Sequence, residues 1–285
     1  MAEPMYKEIA QDLRDQIESG ALGPGQQLPT EIELRDQYGA SRNTIRDAIK
    51  RLTSLGLVET RPGQGTFVTQ RMEPFVTTLT ADTETGLGGG EGDAAFSEVE
   101  ERGKKPRASK PRVEVQSAAA YIATRLRIAE GTDVVTRRQE RYIDGTPWSL
   151  QLTAYPMELV ERGASDLLKA QDIPGGAVAY LNRTLGLAQI GHRDRILVRS
   201  PSQDEALYFK LPDDGRVSVL SLVRTAYRAG PDGPVPFRVT FSVFPADRNQ
   251  FVINTGDVPK ELAEAASDQY FDARNVTKDN ATGAE

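Results

Sequence analysis

The chain has 285 residues, 38% of them hydrophobic, which is enough for two domains. It contains no cysteine and no run of about 20 apolar residues, so the sequence excludes a disulfide framework, a thiolate metal site and a membrane-spanning helix. The formal net charge is −6, although the distribution of charge says more about partners than its sum. Since the N-terminus lacks a basic and apolar signal segment, we expect a cytoplasmic protein.

The first two predicted helices lie within the first 40 residues. Five apolar residues recur with helical spacing and predict a helix that ends near Gly20: Tyr6, Ile9, Ala10, Leu13 and Ile17. Thr30 and Glu33 have the spacing of a capping box, in which each side chain binds a backbone amide of the first turn. A second helix is therefore predicted to start after Thr30 and to end at Gly39.

A third helix is predicted after a turn of about three residues, with Ser41 as its N-cap. One face is apolar: Ile45, Ala48, Ile49, Leu52 and Leu55. The other face is polar: Arg42, Asn43, Arg46 and Lys50. Arg can bind guanine with two hydrogen bonds, and Asn can bind adenine in the same way, so this face predicts a recognition helix for the major groove of DNA. The alternative is an ordinary solvated face, but the caps, the turn and the cations coincide.

A β-hairpin is predicted next, from strands over 57–61 and 66–68 joined by a turn over 62–65. A helix-turn-helix followed by such a hairpin is a winged helix. Residues 1–39 carry three cations and eight acids, whereas residues 40–71 carry six cations and two acids. The third helix and the wing therefore form the basic face of a DNA-binding domain over residues 1–71.

Conspicuous motifs run through residues 4–70: Ile9-Ala10, Leu13-Arg14, Ser19-Gly20, Leu28-Pro29-Thr30-Glu31, Ser41-Arg42-x-Thr44-x-Arg46, Gly56-Leu57-Val58 and Gly65-Thr66-Phe67-Val68. Together they closely resemble the GntR family of bacterial transcription regulators. The resemblance implies a bacterial, nucleoid-associated protein that binds double-stranded DNA. The candidate contact residues are Thr30, Ser41, Arg42, Asn43, Thr44, Arg46, Lys50, Gln64, Gly65 and Thr66.

Residues 72–111 are predicted to be a linker, because they are rich in glycine, proline and charge. Their triple glycine lacks the Gly-Lys-Ser/Thr that a phosphate-binding loop needs, so a flexible connector is the better interpretation. A second domain is predicted over 112–256, where strand-like and helix-like segments alternate and turns at 144–145 and 230–234 join two hairpins. This pattern predicts an α+β domain on a mostly antiparallel sheet. Residues 257–285 are predicted to be a disordered tail.

The second domain carries weaker motifs whose order is informative: Gly103-x-x-Pro106, Arg138-x-x-Arg141-x-x-Asp144-Gly145-x-Pro147, Ala154-Tyr155-Pro156, Pro236-Phe237-Arg238 and Asp247-Arg248. They resemble the UTRA effector-binding domain of the HutC branch of the GntR family, whose fold is similar to chorismate lyase. The resemblance implies a ligand cleft on the sheet, with these candidate contacts: Arg138, Gln139, Arg141, Gln151, Tyr155, Tyr227 and Arg238.

Three of these positions differ from the amino-sugar sensors of that branch. Gln139 replaces an arginine, and Gln151 and Arg238 each replace a glutamate. The change of charge argues against an amino sugar and predicts an anionic effector, unless Arg238 points out of the cleft or pairs with Glu140 or Asp247.

Catalytic and metal chemistry are not predicted, since His192 is the only histidine. We expect no metal and no cofactor. The leading hypothesis is a dimeric, ligand-responsive repressor that binds an inverted repeat in DNA. Two alternatives remain open at this point. One is a plasmid-type DNA-binding regulator whose second domain only dimerises, and the other is a lyase-like enzyme.

Overall fold

The structure is a computed structural model that describes the following residues: 4–61, 63–69, 74–79, 96, 99–100, 103–212, 215 and 217–255. They form two separate units, one within residues 1–73 and the other within residues 74–285. The predicted tail and the glycine-rich centre of the predicted linker lie outside the described residues. Within the described part of the chain, no helix is long and apolar enough to cross a membrane.

The first unit consists of three helices and a hairpin: α1 (Met5–Glu18), α2 (Glu31–Tyr38), α3 (Arg42–Ser54), β1 (Val58–Arg61) and β2 (Gly65–Val68). Its core takes apolar side chains from all three helices and both strands, and the most deeply buried are Leu13, Leu34, Ile45, Ala48, Leu52 and Val58. Burial of these side chains on one face of each helix holds the unit together.

The helix ends follow from the sequence. The Thr30 side chain accepts a hydrogen bond from the Glu33 amide, and the Glu33 carboxylate accepts one from the Thr30 amide, so the predicted capping box is confirmed. Gly39 ends α2 in the left-handed conformation with φ 60°, and the Ser41 side chain caps α3. The prediction for Leu55 was wrong. This residue follows the last turn of α3, and its side chain is 37% exposed.

The wing is tied to the loop before α2. Strands β1 and β2 pair antiparallel, and the Gln27 side chain donates a 2.9 Å hydrogen bond to the Gln64 carbonyl at the wing tip. Gly65 has φ 124°, and a Cβ atom there would displace the side-chain amide of Gln27. The tip therefore requires glycine for its backbone angle.

The second unit is built on a seven-stranded antiparallel sheet. The strands are β4 (Pro106–Ala108), β5 (Arg112–Ser117), β6 (Asp133–Ile143), β7 (Thr146–Pro156), β8 (Gln189–Arg199), β9 (Val219–Arg228) and β10 (Val235–Pro245). Strands β4 and β5 both pair with β6, and the order continues β6, β7, β10, β9, β8. A smaller parallel pair joins β3 (Phe75–Thr78) to β11 (Asn249–Val252).

The two faces of the large sheet differ in polarity. One face packs on α4 (Ala120–Leu126), whose Ile122 and Leu126 contact Val134 and Val239. The other face, called the polar face below, carries Arg137, Gln139 and Arg141 of β6 and the side chains in register with them on β7, β10 and β9.

Apolar clusters bound the polar face at both ends of the strands. At one end Val135, Tyr155 and Phe237 pack under a 3₁₀ helix (Ser165–Leu168) and two helices, α5 (Glu158–Glu161) and α6 (Gly176–Leu185). At the other end Trp148, Leu222 and Phe244 pack against side chains from the start of the unit: Phe75, Leu79 and Val99. The polar side chains lie between these clusters.

The structure differs from the linker predicted over 72–111. Strand β3 pairs with β11, β4 pairs with β6, and Val99 is fully buried in the cluster around Trp148. The described parts of this segment therefore belong to the second unit. The prediction relied on composition within a short window, and these short strands are held by partners that lie much later in the chain.

Three other elements were not predicted. They are strand β11, helix α5 and helix α7 (Gln203–Phe209), which begins with a capping box formed by Ser202 and Glu205. The helix-like segment around 165–170 is a single 3₁₀ turn, Ser165–Leu168. The two predicted hairpins of the second domain are observed, β6 with β7 around the turn at 144–145 and β9 with β10 around the turn at 230–234.

Candidate nucleic-acid interface and effector cleft

The exposed face of α3 is basic at its N-terminal end. Ile45, Ala48 and Leu52 are fully buried, whereas Arg42 and Arg46, one turn apart, are exposed. Asn43 and Lys50 are also exposed, and Thr44 is half-buried. The structure thus places the predicted recognition residues of α3 on the surface, where their side chains are accessible to DNA.

An acidic residue of α2 organises this surface. Glu31 Oε2 accepts a 3.0 Å hydrogen bond from Arg42 Nε, and Glu31 Oε1 accepts another of 3.0 Å from Arg46 Nε. The hydrogen bonds from Arg46 and Arg42 hold the pKa of the Glu31 carboxyl below its ordinary value. The sequence reasoning missed Glu31, which lies in the first turn of α2, next to the capping residue Thr30.

The other predicted DNA contacts fall in two places. Thr30 and Ser41 serve as helix caps, and Ser41 Oγ also lies 2.8 Å from Thr44 Oγ1. Gln64 is exposed at the wing tip, beside the half-buried Gly65 and Thr66. All of these residues lie in the first unit.

The polar face of the second unit buries a dense set of polar side chains. Its buried members are Arg137, Arg141, Ser149, Gln151, Thr153, Arg224, Arg238, Thr240 and Ser242. Of the residues predicted to contact an effector, four lie on this face: Gln139, Arg141, Gln151 and Arg238. Three adjacent strands, β6, β7 and β10, therefore bring together residues that are distant in sequence.

The structure does not bring the other three predicted contacts together with these four side chains. Arg138 is exposed on the opposite face of β6, since neighbouring residues of a strand point to opposite faces. Tyr227 also lies opposite the polar face, because the preceding Ala226 packs in the cluster with Val135 and Tyr155. Tyr155 itself points to the correct side, but it is 3% exposed within that apolar cluster.

Arg137, which the sequence reasoning missed, anchors the segment 165–172 to the polar face. Its Nη1 donates to the carbonyls of Leu167 and Lys169 at 2.8 Å each, and its Nη2 donates to the carbonyl of Gln171 at 2.7 Å. Burial lowers the pKa of the Arg137 guanidinium. Gln139 Nε2 donates to Asp172 Oδ1 at 2.7 Å, so the segment 165–172 is attached to the polar face at two points.

The opposite side of the polar face carries a part-buried ion pair. Arg224 donates to Asp194 through Nε at 2.7 Å and through Nη2 at 2.5 Å. Arg238 Nη2 donates to Gln189 Oε1 at 3.3 Å, and the guanidinium of Arg141 lies 5.4 Å from the ring centre of Phe96. Within the described residues, no group of three acidic or histidine side chains could hold a metal ion.

Comparison with known proteins identifies both units. Residues 5–68 match the model of the bacterial regulatory proteins, gntR family, and residues 101–250 match the UTRA domain. The chain belongs to the GntR family and carries a UTRA domain. The winged helix-turn-helix and the α+β domain that the sequence predicted are thereby confirmed. The model that matches the first unit describes bacterial regulatory proteins.

Named relatives support this family assignment. The chain is 31% identical over 157 residues to the HTH-type transcriptional regulator YurK of Bacillus subtilis (strain 168), covering 55% of this chain and 60% of YurK. It is 42% identical over 82 residues to the HTH-type transcriptional repressor NagR of the same organism, covering 28% of this chain and 34% of NagR. The matches thus span less than two thirds of either relative.

A solved structure supports the GntR/UTRA fold. A crystal structure assigned to a GntR-family transcriptional regulator has a TM-score of 0.64 and 23% identity, and the similarity covers 90% of this chain and 99% of that one. At this identity the similarity concerns the fold alone.

Proposed function

We propose that the chain is a ligand-responsive transcription repressor, in which the first unit binds operator DNA and the polar face of the second unit binds a small effector. The observation that carries the proposal is the pair of exposed arginines, Arg42 and Arg46, at the start of a helix whose other face is buried. NagR, which is 42% identical to this chain over 82 residues, is named a repressor. Because its target is genomic DNA, the protein acts in the bacterial cytoplasm.

The proposed protein is a homodimer. One winged helix makes few contacts with DNA, and two related by a two-fold axis would recognise an inverted repeat. Strand β8 supplies a surface for pairing, since it lies at the edge of the sheet and pairs with β9 alone among the described strands. Its residues Ile196, Leu197 and Val198 are 42%, 58% and 59% exposed. An edge strand with exposed apolar residues readily pairs with a second chain.

Footprinting with the full chain is expected to protect a near-palindromic duplex, called the operator duplex below.

Leu197→Lys is expected to shift the chain from dimer to monomer in analytical ultracentrifugation, because it places a charge in the proposed contact. Val115→Lys is the matched control, since Val115 is 51% exposed on a different strand, β5.

A fragment of residues 1–75 is expected to be monomeric and to bind DNA weakly. Tight dimeric binding by that fragment would contradict the proposed contact.

The effector is proposed to carry a negative charge. Four arginines lie on the polar face, namely Arg137, Arg141, Arg224 and Arg238. Within the described residues, Arg224 pairs with Asp194 and Gln139 binds Asp172. A carboxylate or phosphate group is the ligand that a guanidinium group binds with two hydrogen bonds, so a face that carries four arginines suits an effector with such a group.

Calorimetry with a panel of acidic, neutral and basic metabolites tests this proposal. We expect an acidic compound to bind, and we expect Arg141→Ala and Arg238→Ala each to weaken binding by about 1.5–3 kcal/mol, the range for hydrogen bonds to charged groups. Arg138→Ala, which removes an exposed cation from the other face of β6, is expected to leave binding unchanged. A neutral or cationic effector that binds both variants as tightly as the parent would rule out the anionic site.

A second domain that only dimerises can be distinguished from an effector-binding domain by experiment. It predicts that no metabolite raises the melting temperature of the chain and that none releases it from the operator duplex.

A further inference from the structure

A single carboxylate connects the two arginines of the DNA-binding face to the preceding helix. Arg42 and Arg46 each use Nε to bind a different oxygen of Glu31. A guanidinium has five N–H donors, so each arginine keeps four donors on its Nη atoms after this hydrogen bond. The carboxylate thereby holds both side chains by their inner nitrogen and leaves the terminal donors to bind DNA.

This arrangement contributes little to the stability of the fold. The side chains of Arg42 and Arg46 are 63% and 50% exposed, and that of Glu31 is 33% exposed. Ion pairs at such positions are weak, because water screens the charges and both partners lose side-chain freedom. The value of the contact lies instead in geometry, since it fixes two long side chains that otherwise sample many rotamers.

We propose that Glu31 is a specificity-determining positioning residue, which orders Arg42 and Arg46 for base contacts and weakens binding to other DNA. The proposal rests on the proposed function of the first unit. Sequence-independent affinity comes from cations that neutralise phosphates. A carboxylate between two arginines lowers the positive charge available to phosphates and also holds the guanidinium groups in one orientation, as bidentate recognition of a base requires.

The full chain with Glu31→Gln tests this proposal, using fluorescence anisotropy on the operator duplex and on a scrambled duplex of equal length. We expect the variant to bind the operator duplex more weakly and the scrambled duplex more tightly, so that the ratio of the two affinities falls by about tenfold, the order of one good base contact. The effect is expected to vanish when both arginines are already alanine, because Glu31 acts through them.

Glu33→Gln is the matched control. It makes the same chemical change in the same turn of α2, but Glu33 binds the Thr30 amide and hydroxyl and not an arginine. We expect this variant to lower the melting temperature and to leave the affinity ratio unchanged.

Three results would overturn the positioning role. They are an unchanged ratio in Glu31→Gln, an equal gain on both duplexes, and an equal fall of the ratio in Glu33→Gln. A parent chain that fails to prefer any duplex contradicts the proposed DNA-binding function itself, and that outcome is seen before any variant is made.

Discussion

Arg42→Ala and Arg46→Ala are each expected to weaken binding to the operator duplex by about 1–3 kcal/mol, a change of roughly 5- to 150-fold in affinity. Both side chains are exposed, and their removal leaves the buried face of α3 intact. The fold should therefore survive, and melting curves of the variants should match the parent. Gel-shift titrations at one fixed salt concentration give the measurement, since affinity for DNA depends steeply on salt.

Arg14→Ala is the control for this pair. Arg14 lies on α1 and pairs with Glu18 at 2.6 Å, so its removal changes the net charge of the first unit by the same amount. We expect it to weaken binding far less than either α3 substitution. Unchanged affinity in both α3 variants would show that this helix does not read DNA.

Arg137→Ala is expected to destabilise the second unit by about 1–3 kcal/mol, the cost of leaving a buried acceptor without its partner. The guanidinium binds the buried carbonyl of Leu167 and the part-buried carbonyls of Lys169 and Gln171. Loss of these bonds also frees the segment 165–172 from the sheet. We therefore expect weaker effector binding as well as lower stability.

Trp148 reports this unfolding selectively. It is the only tryptophan of the chain and is buried in the second unit, so its emission during urea denaturation follows that unit and not the first. Arg138→Ala, one residue away and exposed, is expected to change stability by less than about 0.5 kcal/mol. Equal effects of the two substitutions would contradict the role of Arg137 as an anchor.

The first unit could be predicted closely from the sequence because its determinants are local. The capping box of Thr30 and Glu33 and the cap at Ser41 each act within one helical turn. The hydrogen bonds of Glu31 with two arginines could not be predicted from local sequence in the same way. That contact joins two helices, and it depends on how the turn between them orients α3.

The sheet of the second unit shows where sequence reasoning fails. Motif spacing drew attention to Arg138, although the buried residue is Arg137. Alternation along β6 requires that these neighbours point to opposite faces of the sheet, but it does not determine which of them lies on the polar face. Pairing with β7 and packing against the segment 165–172 decide this point, and both involve residues far away in the chain.

The pairing of β3 with β11 sets the order in which the chain can fold. The first unit contains mainly near neighbours in sequence and can be completed as soon as its residues leave the ribosome. The second unit cannot be completed before its last strands are synthesised, because β10 lies between β7 and β9 in the sheet and β3 needs β11 as its partner. We therefore expect the winged helix to fold first during synthesis. The apolar side chains Phe75 and Leu79 become buried only when β9, β10 and β11 have been synthesised.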